Sequence, residues 1–297
     1  MKIDIKLDNV LSLFDGMSCG QLALDTLGVK VGNYFASEID SHAMQIAKKN
    51  YPNTKHIGSV LDVKGSDLPK IDLLIGGSPC QSFSNAGDGS GMDGKSKLFW
   101  EFVRVLKETK PTYFLLENVK MKKEWEKIIT DTLGVEPIAI NSRLLTAQNR
   151  PRLYWTNIPN VVQPIDRGLV LKDILEDQVD EKFYLSDKAI DYMSRLRNGK
   201  PRWEYHTNPV DGKSACLTAN MFKGVPYGVI KEKMRRLTPI ECERLQSVPD
   251  NYTEGVSNTQ RFKMLGNGWT IDVIAHILNE MRHAPVKTTT NKQLILL

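Results

Sequence analysis

The chain has 297 residues, of which 41% are hydrophobic and 25% are charged, a balance typical of soluble globular proteins. This length allows one large domain, or a large domain with a smaller companion, and we expect the second arrangement. The N-terminus lacks the apolar core of a signal peptide, and no run reaches the roughly 18 to 20 apolar residues of a membrane span. We therefore expect a cytoplasmic protein without membrane contacts.

The cysteines and histidines argue against a metal centre. The four cysteines lie far apart and form no C-x-x-C pair, and the five histidines show no ligand spacing. The composition therefore predicts reduced thiols and no metal. The net charge of +5 is modest, but residues 195–233 alone hold eight Lys or Arg against three Asp or Glu. Such a segment fits either a polyanion-binding surface or an ordinary solvated face.

From the N-terminus onward, apolar runs alternate with amphipathic stretches, the pattern of strand-then-helix units. The runs predict strands at residues 10–14, 34–37, 71–75 and 113–116, and helices are predicted at 42–51 and 97–109. This order predicts an α/β fold with a parallel sheet. Ligands of such sheets bind beyond the carboxyl ends of the strands, so the residues that follow each run are the site candidates.

The first two runs end in residues that could hold a nucleotide-like cofactor. A glycine-rich turn, residues 15–20, follows the first run, and Glu38 ends the second, roughly 20 residues further on. A carboxylate at this place commonly binds the hydroxyls of a cofactor ribose. The turn lacks the full G-x-G-x-x-G spacing, so the pair fits either an adenosine-containing cofactor or a purely structural turn.

The third and fourth runs end in candidates for catalysis. Cys80 follows Pro79 in a loop rich in Gly and Ser, where backbone N–H groups can favour the thiolate and make it a nucleophile. The alternative is a small buried hydrophobic residue. Glu117 closes a very apolar strand, where a carboxylate is solvated, paired or placed for proton chemistry. Together the two groups could attack and protonate one planar substrate.

An ordered set of motifs in this sequence resembles the DNA cytosine-C5 methyltransferase family, in its bacterial or phage-type short form. The motifs that carry the resemblance, covering about residues 9–160 and 235–280, are Phe14-Asp15-Gly16 to Gly20, Ser78-Pro79-Cys80-Gln81, Glu117-Asn118-Val119, Gln148-Asn149-Arg150-Pro151-Arg152, Arg236-Leu237-Thr238-Pro239 to Gln246, and Gly266-Asn267-Gly268. The resemblance implies a Rossmann-like S-adenosylmethionine-dependent methyltransferase fold with a small inserted target-recognition domain. The implied division is 1–160 plus 235–297 for catalysis and cofactor binding, and 161–234 for recognition.

The resemblance also implies a mechanism. Cys80 attacks C6 of a cytosine flipped out of the DNA, because the reacting atoms are not accessible inside the base stack. Glu117 holds the base through N3 and the exocyclic amine, and C5 then takes the methyl group. Arg150 and Arg152 help to bind and orient the flipped nucleotide, with Arg152 assigned to the base or the catalytic loop. The alternative is that they form ordinary phosphate contacts or surface salt bridges.

For the cofactor, S-adenosyl-L-methionine, the resemblance implies a pocket that the sequence matches with two departures. Ser59 stands where the family often has an Asp that binds the adenine amino group, and Gly268-Trp269 replaces the commoner Ser-Val. The expected cofactor residues are Phe14, Asp15, Gly16, Gly20, Glu38, Ile39, Ser59, Val60, Pro79, Leu98 and Asn267.

The expected partner is double-stranded DNA with a short target of about four to six base pairs. The expected DNA contacts are Gln81, Ser84, Arg202, Trp203 and Lys223. Trp203 fits a second interpretation equally well, as part of the core of a small domain. We expect a monomer in a bacterial cell or phage-infected host, working alone or beside a separate cognate restriction endonuclease.

Two alternatives are an RNA cytosine methyltransferase of the same fold, of the branch that acts on transfer RNA, and an inactive DNA-binding relative. The intact Cys80, Glu117 and Arg152 argue against the second.

Overall fold

A computed structural model describes residues 5–79, 98–206 and 208–283 of the chain. Its centre is a seven-stranded sheet in the order β3-β2-β1-β4-β5-β7-β6. The strands are β1 (Lys6–Leu13), β2 (Lys30–Ser37), β3 (Lys55–His56), β4 (Leu73–Gly77), β5 (Tyr113–Val119), β6 (Ile138–Asn141) and β7 (Pro151–Thr156). The first five run parallel to one another, and β7 inserts antiparallel between β5 and β6. The predicted α/β, Rossmann-like architecture is confirmed.

The helices of the main body flank this sheet. They are α1 (Cys19–Thr26), α2 (Ser41–Asn50), α3 (Leu98–Thr109) and α4 (Lys123–Leu133), and, after the segment that follows the sheet, α7 (Pro239–Leu245), α8 (Asn258–Asn267) and α9 (Ile271–Asn279). Both helices predicted from the sequence are present, as α2 and α3. The C-terminal helices return to the sheet, since α9 packs against α1.

Side chains point alternately to the two faces along each strand, and this divides the apolar core into two layers. In β1, Val10 belongs to the apolar cluster shared with α1 and α9, whereas Leu11 belongs to the cluster shared with α3 and α4. In β5, Leu115 and Leu116 divide in the same way. Successive strand residues point to opposite faces, so a run that is apolar throughout is buried on both faces of the sheet. The parallel strands therefore carry helices on either side.

The segment between the sheet and α7 is built from short elements. These are α5 (Asp187–Ser194), β8 (Leu196–Arg197), β9 (Lys200–Pro201), α6 (Trp203–His206), β10 (Val229–Ile230) and β11 (Arg235–Arg236). Their small apolar cluster contains Met193, Trp203 and Val229. The structure thus places Trp203 in a core, 8% exposed, with its indole N–H donating to Ser194 Oγ at 3.1 Å. This position agrees with the second interpretation of Trp203, as part of the core of a small domain.

A capping box starts α7 and also joins it to the preceding segment. Thr238 Oγ1 accepts from Glu241 N–H, and Thr238 N–H donates to Glu241 Oε2 at 2.9 Å, with Pro239 in the first helical turn. Glu241 also pairs with Arg235, and both side chains are at most 3% exposed. The same carboxylate accepts from Glu176 N–H at 3.0 Å, so one buried anion ties three stretches of chain together.

Within the described residues, the helices are all too short or too polar to cross a membrane. The same residues contain no group of three or more His, Cys, Asp or Glu side chains that could hold a metal ion.

Candidate functional site

The carboxyl ends of the parallel strands form the edge where the sequence predicts a site. The strand order reverses at β1, whose neighbours are β2 on one side and β4 on the other, and such a switch point opens a crevice for ligands. The turn after β1 begins with Phe14 and Gly16 in left-handed conformations, at φ 58° and φ 61°. A Cβ at position 16 would meet no atom within 4 Å, so glycine is needed there for its backbone angle.

Asp15 holds this turn from inside. Its buried carboxylate accepts from Ser18 Oγ at 2.6 Å and from the Tyr34 hydroxyl at 2.9 Å. Burial raises its pKa from 3.8 to about 6, because the charged carboxylate loses its hydration. The side chain was expected to contact the cofactor, but its two oxygens face protein hydroxyls, so it acts on the crevice through the shape of the turn.

This buried carboxyl makes stability depend on pH. Between about pH 4 and 6 the unfolded chain has released the Asp15 proton while the folded chain keeps it, so the contribution of Asp15 to the free energy of unfolding falls as pH rises and levels off above about pH 6. We expect Asp15→Asn to remove about 3 kcal/mol of this fall. Urea unfolding at pH 4, 5, 6 and 7 measures it, and equal pH slopes for the two proteins would contradict the assignment.

Glu38 and Ile39 fit the ribose and adenine of an adenosyl group. Glu38 Oε2 accepts from Gly16 N–H at 2.8 Å, and Oε1 accepts from the N–H groups of Ile39 and Asp40. A carboxylate offers about four acceptor positions, so capacity remains on Oε2 for a hydroxyl. The neighbouring Ile39 side chain is 76% exposed, an apolar surface suited to a planar base. The free acceptor position of Glu38 and the exposed apolar face of Ile39 agree with such a cofactor.

The other expected cofactor residues lie around the same edge of the sheet, and they differ in their contacts and exposure. Ser59 Oγ accepts from Leu61 N–H at 3.2 Å and thereby caps the short turn that begins at Val60. At Gly20, a Cβ would lie 2.1 Å from Ile75 Cδ1, so glycine allows α1 to pack closely on the sheet. Pro79 and Leu98 border the undescribed stretch and are half-buried, and Asn267 is exposed at the end of α8.

Glu117 lies at the end of β5, and both of its carboxylate oxygens have partners. Arg152 Nε is 2.9 Å from Oε1, with the two side chains 13% and 12% exposed. The indole Nε1 of Trp269 donates to Oε2 at 3.1 Å. The structure therefore brings Glu117 and Arg152 together, as the sequence suggests, and adds Trp269, which sequence reasoning missed. The departure from Ser-Val at this position was the available signal.

Arg150 lies in the same motif as Arg152 but binds backbone carbonyls and not Glu117. Its guanidinium is 3% exposed and donates to the carbonyls of Leu217, Gly266 and Gly268, at 2.8, 3.1 and 2.8 Å. Nη1 also lies 3.3 Å from the sulfur of Cys216. The expected contact with the nucleotide does not match this geometry, because the buried donors are already satisfied by backbone oxygens.

The chain approaching Cys80 is anchored to the strand that carries Glu117. Asn118 Nδ2 donates to Ser78 Oγ at 3.1 Å and to the Ser78 carbonyl at 3.3 Å. Both residues are buried, at 1% and 4% exposure. Cys80 itself lies outside the described residues, as do Gln81 and Ser84.

Two of the other thiols, those of Cys19 and Cys242, are poorly suited to nucleophilic chemistry. Burial raises the pKa of Cys19 to about 12 and raises that of Cys242 well above its usual range, so neither forms a thiolate near neutral pH. Cys216 is half-buried beside the two arginines.

Of the remaining expected DNA contacts, two are accessible from solvent. Lys223 is exposed at the end of a short 3₁₀ turn. The guanidinium of Arg202 stacks over the Tyr192 ring at 4.6 Å and donates to the carbonyl of Arg195 at 3.1 Å. Trp203, as described above, is part of the core.

Comparison with known proteins agrees with this geometry. The family model for C-5 cytosine-specific DNA methylases matches residues 9–283. Type II methyltransferase M1.ScrFI of Lactococcus lactis subsp. cremoris is 33% identical over 92% of this chain and 77% of its own length. Type II methyltransferase M.NlaX of Neisseria lactamica is 31% identical over 93% and 96%.

Solved structures share the fold. The Entamoeba histolytica methyltransferase EhMeth superposes with a TM-score of 0.74 at 18% identity, over 92% of this chain and 97% of that one. The S. pombe Dnmt2 methyltransferase gives 0.70 at 16% identity, over 93% and 98%. The chain therefore belongs to the C-5 cytosine-specific DNA methylase family: it is a DNA (cytosine-5-)-methyltransferase, and its methyl donor is S-adenosyl-L-methionine.

Proposed function

We propose that the protein methylates C5 of a cytosine flipped out of duplex DNA, through a transient bond between Cys80 and C6. The observation that carries the proposal is the paired carboxylate of Glu117 at the end of β5. It stands beside the Asn118–Ser78 contact that anchors the chain leading to Cys80. A nucleophile and a held carboxylate at one crevice can act on the two edges of one ring.

In the proposed reaction, the Cys80 thiolate adds to C6, and the electron pair of the C5–C6 double bond becomes available at C5. Glu117 donates a proton to N3 and accepts from the exocyclic amine, so that the ring takes up this charge, and the proton returns to Glu117 when Cys80 leaves. Arg152 keeps the carboxyl group in place. S-adenosyl-L-methionine, when bound, would supply the methyl group as an electrophile and leave as the uncharged thioether. C5 then loses its proton to a base, the double bond re-forms, and Cys80 leaves as thiolate.

We assign the expected cofactor residues to two tasks. Glu38 and Ile39 bind the ribose and one face of the adenine, with Val60 near the other face, and Phe14, Leu98 and Asn267 complete the pocket. Asp15, Gly16, Gly20 and Ser59 shape the turns that hold them. Pro79 belongs with the residues of the pocket. Arg150 belongs with the positioning residues, because its donors bind backbone carbonyls.

We propose that residues 161–234 form the target-recognition domain and that 1–160 plus 235–297 form the catalytic domain. The hairpin of β8 and β9 supports a DNA-reading role for the first. Its turn, Asn198-Gly199, has φ values of 51° and 78°, the arrangement of a tight two-residue hairpin. Arg197 and Lys200 are paired across it and exposed. A two-stranded ribbon of this width fits the major groove.

Arg197 is the residue of the hairpin best placed to contact DNA. Its neighbours are engaged, since Arg195 pairs with Asp191 and Lys200 with Glu204, whereas among the described residues nothing pairs with the Arg197 guanidinium. We expect Arg197→Ala to weaken binding of target DNA about tenfold without altering thermal stability.

Fluorescence anisotropy over a salt series measures this affinity. Lys30→Ala is the matched control, because it removes an exposed cation at the start of β2, at the amino ends of the parallel strands and away from the site. Equal affinities of the two variants would contradict the assignment.

The partners and location follow from the same proposal. The substrate is double-stranded DNA, bound by a monomer in the cytoplasm of a bacterial or phage-infected cell. The enzyme works alone or beside a cognate restriction endonuclease that acts separately on the same site. The Type II relatives from bacteria support this arrangement.

Methyl transfer from radiolabelled S-adenosyl-L-methionine tests the proposed function. We expect label in duplex DNA and not in transfer RNA, and none with Cys80→Ala. With 5-fluorocytosine at the target, loss of the C5 proton becomes impossible, and a covalent complex should accumulate. Label in transfer RNA alone would support the RNA enzyme instead. Bisulfite sequencing of a methylated plasmid then identifies the target sequence.

A further inference from the structure

Trp269 lies between α8 and α9 and contacts the carboxylate on which the proposed mechanism depends. Its side chain is 9% exposed, and its indole N–H donates to Glu117 Oε2 at 3.1 Å. The two residues are 152 positions apart, so the contact comes from the tertiary fold. Hydrogen bonds to charged groups in buried surroundings are stronger than those between neutral groups.

The indole and Arg152 hold different oxygens of Glu117. Arg152 Nε forms an ion pair with Oε1 at 2.9 Å, and Trp269 donates a hydrogen bond to Oε2, so groups from two distant parts of the chain hold the two oxygens of the carboxylate. A carboxylate has about four acceptor positions, and two remain for the edge of a base. An indole N–H donates hydrogen bonds and accepts none. It therefore does not compete with Glu117 for the hydrogen-bond donors of that base.

The backbone around Trp269 is anchored on both sides. The carbonyl of Gly268 accepts from Arg150 Nη2 at 2.8 Å and from Gln246 Nε2 at 3.1 Å. On the other side, Thr270 Oγ1 donates to Gln246 Oε1 at 2.7 Å. An indole on such a backbone has a fixed direction, which is what a positioning role requires.

The absence of a side chain at Gly77 leaves room for the indole of Trp269 beside the sheet. Gly77 is paired with Glu117 between β4 and β5. A Cβ at Gly77 would lie 2.9 Å from Trp269 Nε1 and 3.1 Å from Glu117 Oε2. Glycine at 77 and tryptophan at 269 are therefore matched to each other across the crevice.

We propose that Trp269 is a positioning residue that orients the Glu117 carboxylate for the target cytosine. The inference rests on the proposed role of Glu117. Removing one bond to a charged group changes the chemical step about 10- to 100-fold. It leaves the binding of DNA and of the methyl donor within about twofold, because the indole donor acts on Glu117 alone.

Trp269→Phe tests this, and Trp155→Phe is the matched control. Trp155 is also a buried indole with a single hydrogen bond, at 3.0 Å to Thr130 Oγ1, and it does not contact Glu117. Both variants lose an indole N–H and similar volume, so we expect similar losses of thermal stability. Only Trp269→Phe should lower kcat, by about 10- to 100-fold with KM unchanged.

Covalent trapping separates chemistry from folding. With 5-fluorocytosine DNA, the amplitude of adduct formation counts folded active sites, and its rate reports the chemical step. We expect Trp269→Phe to keep the amplitude and slow the rate, and to have no further effect when added to Glu117→Gln. An unchanged rate, a loss of amplitude alone, or an additive effect with Glu117→Gln would overturn the inference. Absence of methylation or trapping by the unmutated protein would overturn the proposed function instead.

Discussion

Glu117→Gln lowers the rate of methyl transfer to duplex DNA by an expected factor of about 10³. The glutamine has nearly the same shape but no charge, so Arg152 loses its anionic partner in a pocket where both side chains are about one-eighth exposed. Its NH₂ group must also face either Arg152 or the indole N–H of Trp269, and both of these are donors. The base edge then meets a misoriented amide. Single-turnover kinetics with radiolabelled methyl donor measure the effect.

Glu124→Gln is the control for this experiment. Glu124 is exposed in the first turn of α4, and its substitution makes the same chemical change on the surface. We expect it to methylate at the unmutated rate. Retention of more than about a tenth of the rate by Glu117→Gln would contradict the proposed role of this carboxylate.

Glu241→Gln is expected to cause the largest loss of stability, about 3 to 5 kcal/mol in the free energy of unfolding. The carboxylate accepts two bonds from Arg235, at 2.8 and 2.6 Å, together with backbone N–H groups of Thr238 and Glu176. An amide nitrogen in place of one oxygen would face donors and leave a buried guanidinium without a counter-charge.

Differential scanning calorimetry should show a fall in Tm of about 10 °C. Asp191→Asn is the comparison, since it breaks an exposed ion pair with Arg195 on α5 and should change the free energy of unfolding by less than about 0.5 kcal/mol. Equal shifts for the two variants would contradict the importance of the buried pair.

Local pattern was sufficient to predict the parallel half of the sheet. The apolar runs coincide with β1, β2, β4 and β5, because strands buried on both faces must be apolar throughout. It did not predict β6 and β7. In the sheet, β7 lies between β5 and β6. This order depends on contacts between distant segments, so a short apolar run cannot predict it.

The site residues also divide into those that local sequence identifies and those that only tertiary contacts define. Glu117 was identifiable because a charged group at the end of an apolar strand is unusual. Arg150 and Arg152 lie two residues apart in one motif, yet one binds carbonyls and the other pairs with Glu117, since their surroundings come from distant segments. Trp269 was visible only as a departure from the family pattern. Its partner lies too far away in the chain for any local rule to find.

The contact of Arg150 with Leu217 bears on how the specificity of this enzyme could be exchanged. The guanidinium joins that carbonyl to those of Gly266 and Gly268, and a Cβ at Gly266 would lie 2.1 Å from the Thr218 carbonyl carbon. A segment transplanted from a relative in place of the proposed recognition domain must therefore reproduce this stretch of backbone. Grafts confined to residues 186–206 would leave the junction intact, so the proposed reading surface could be exchanged without rebuilding its attachment to the sheet.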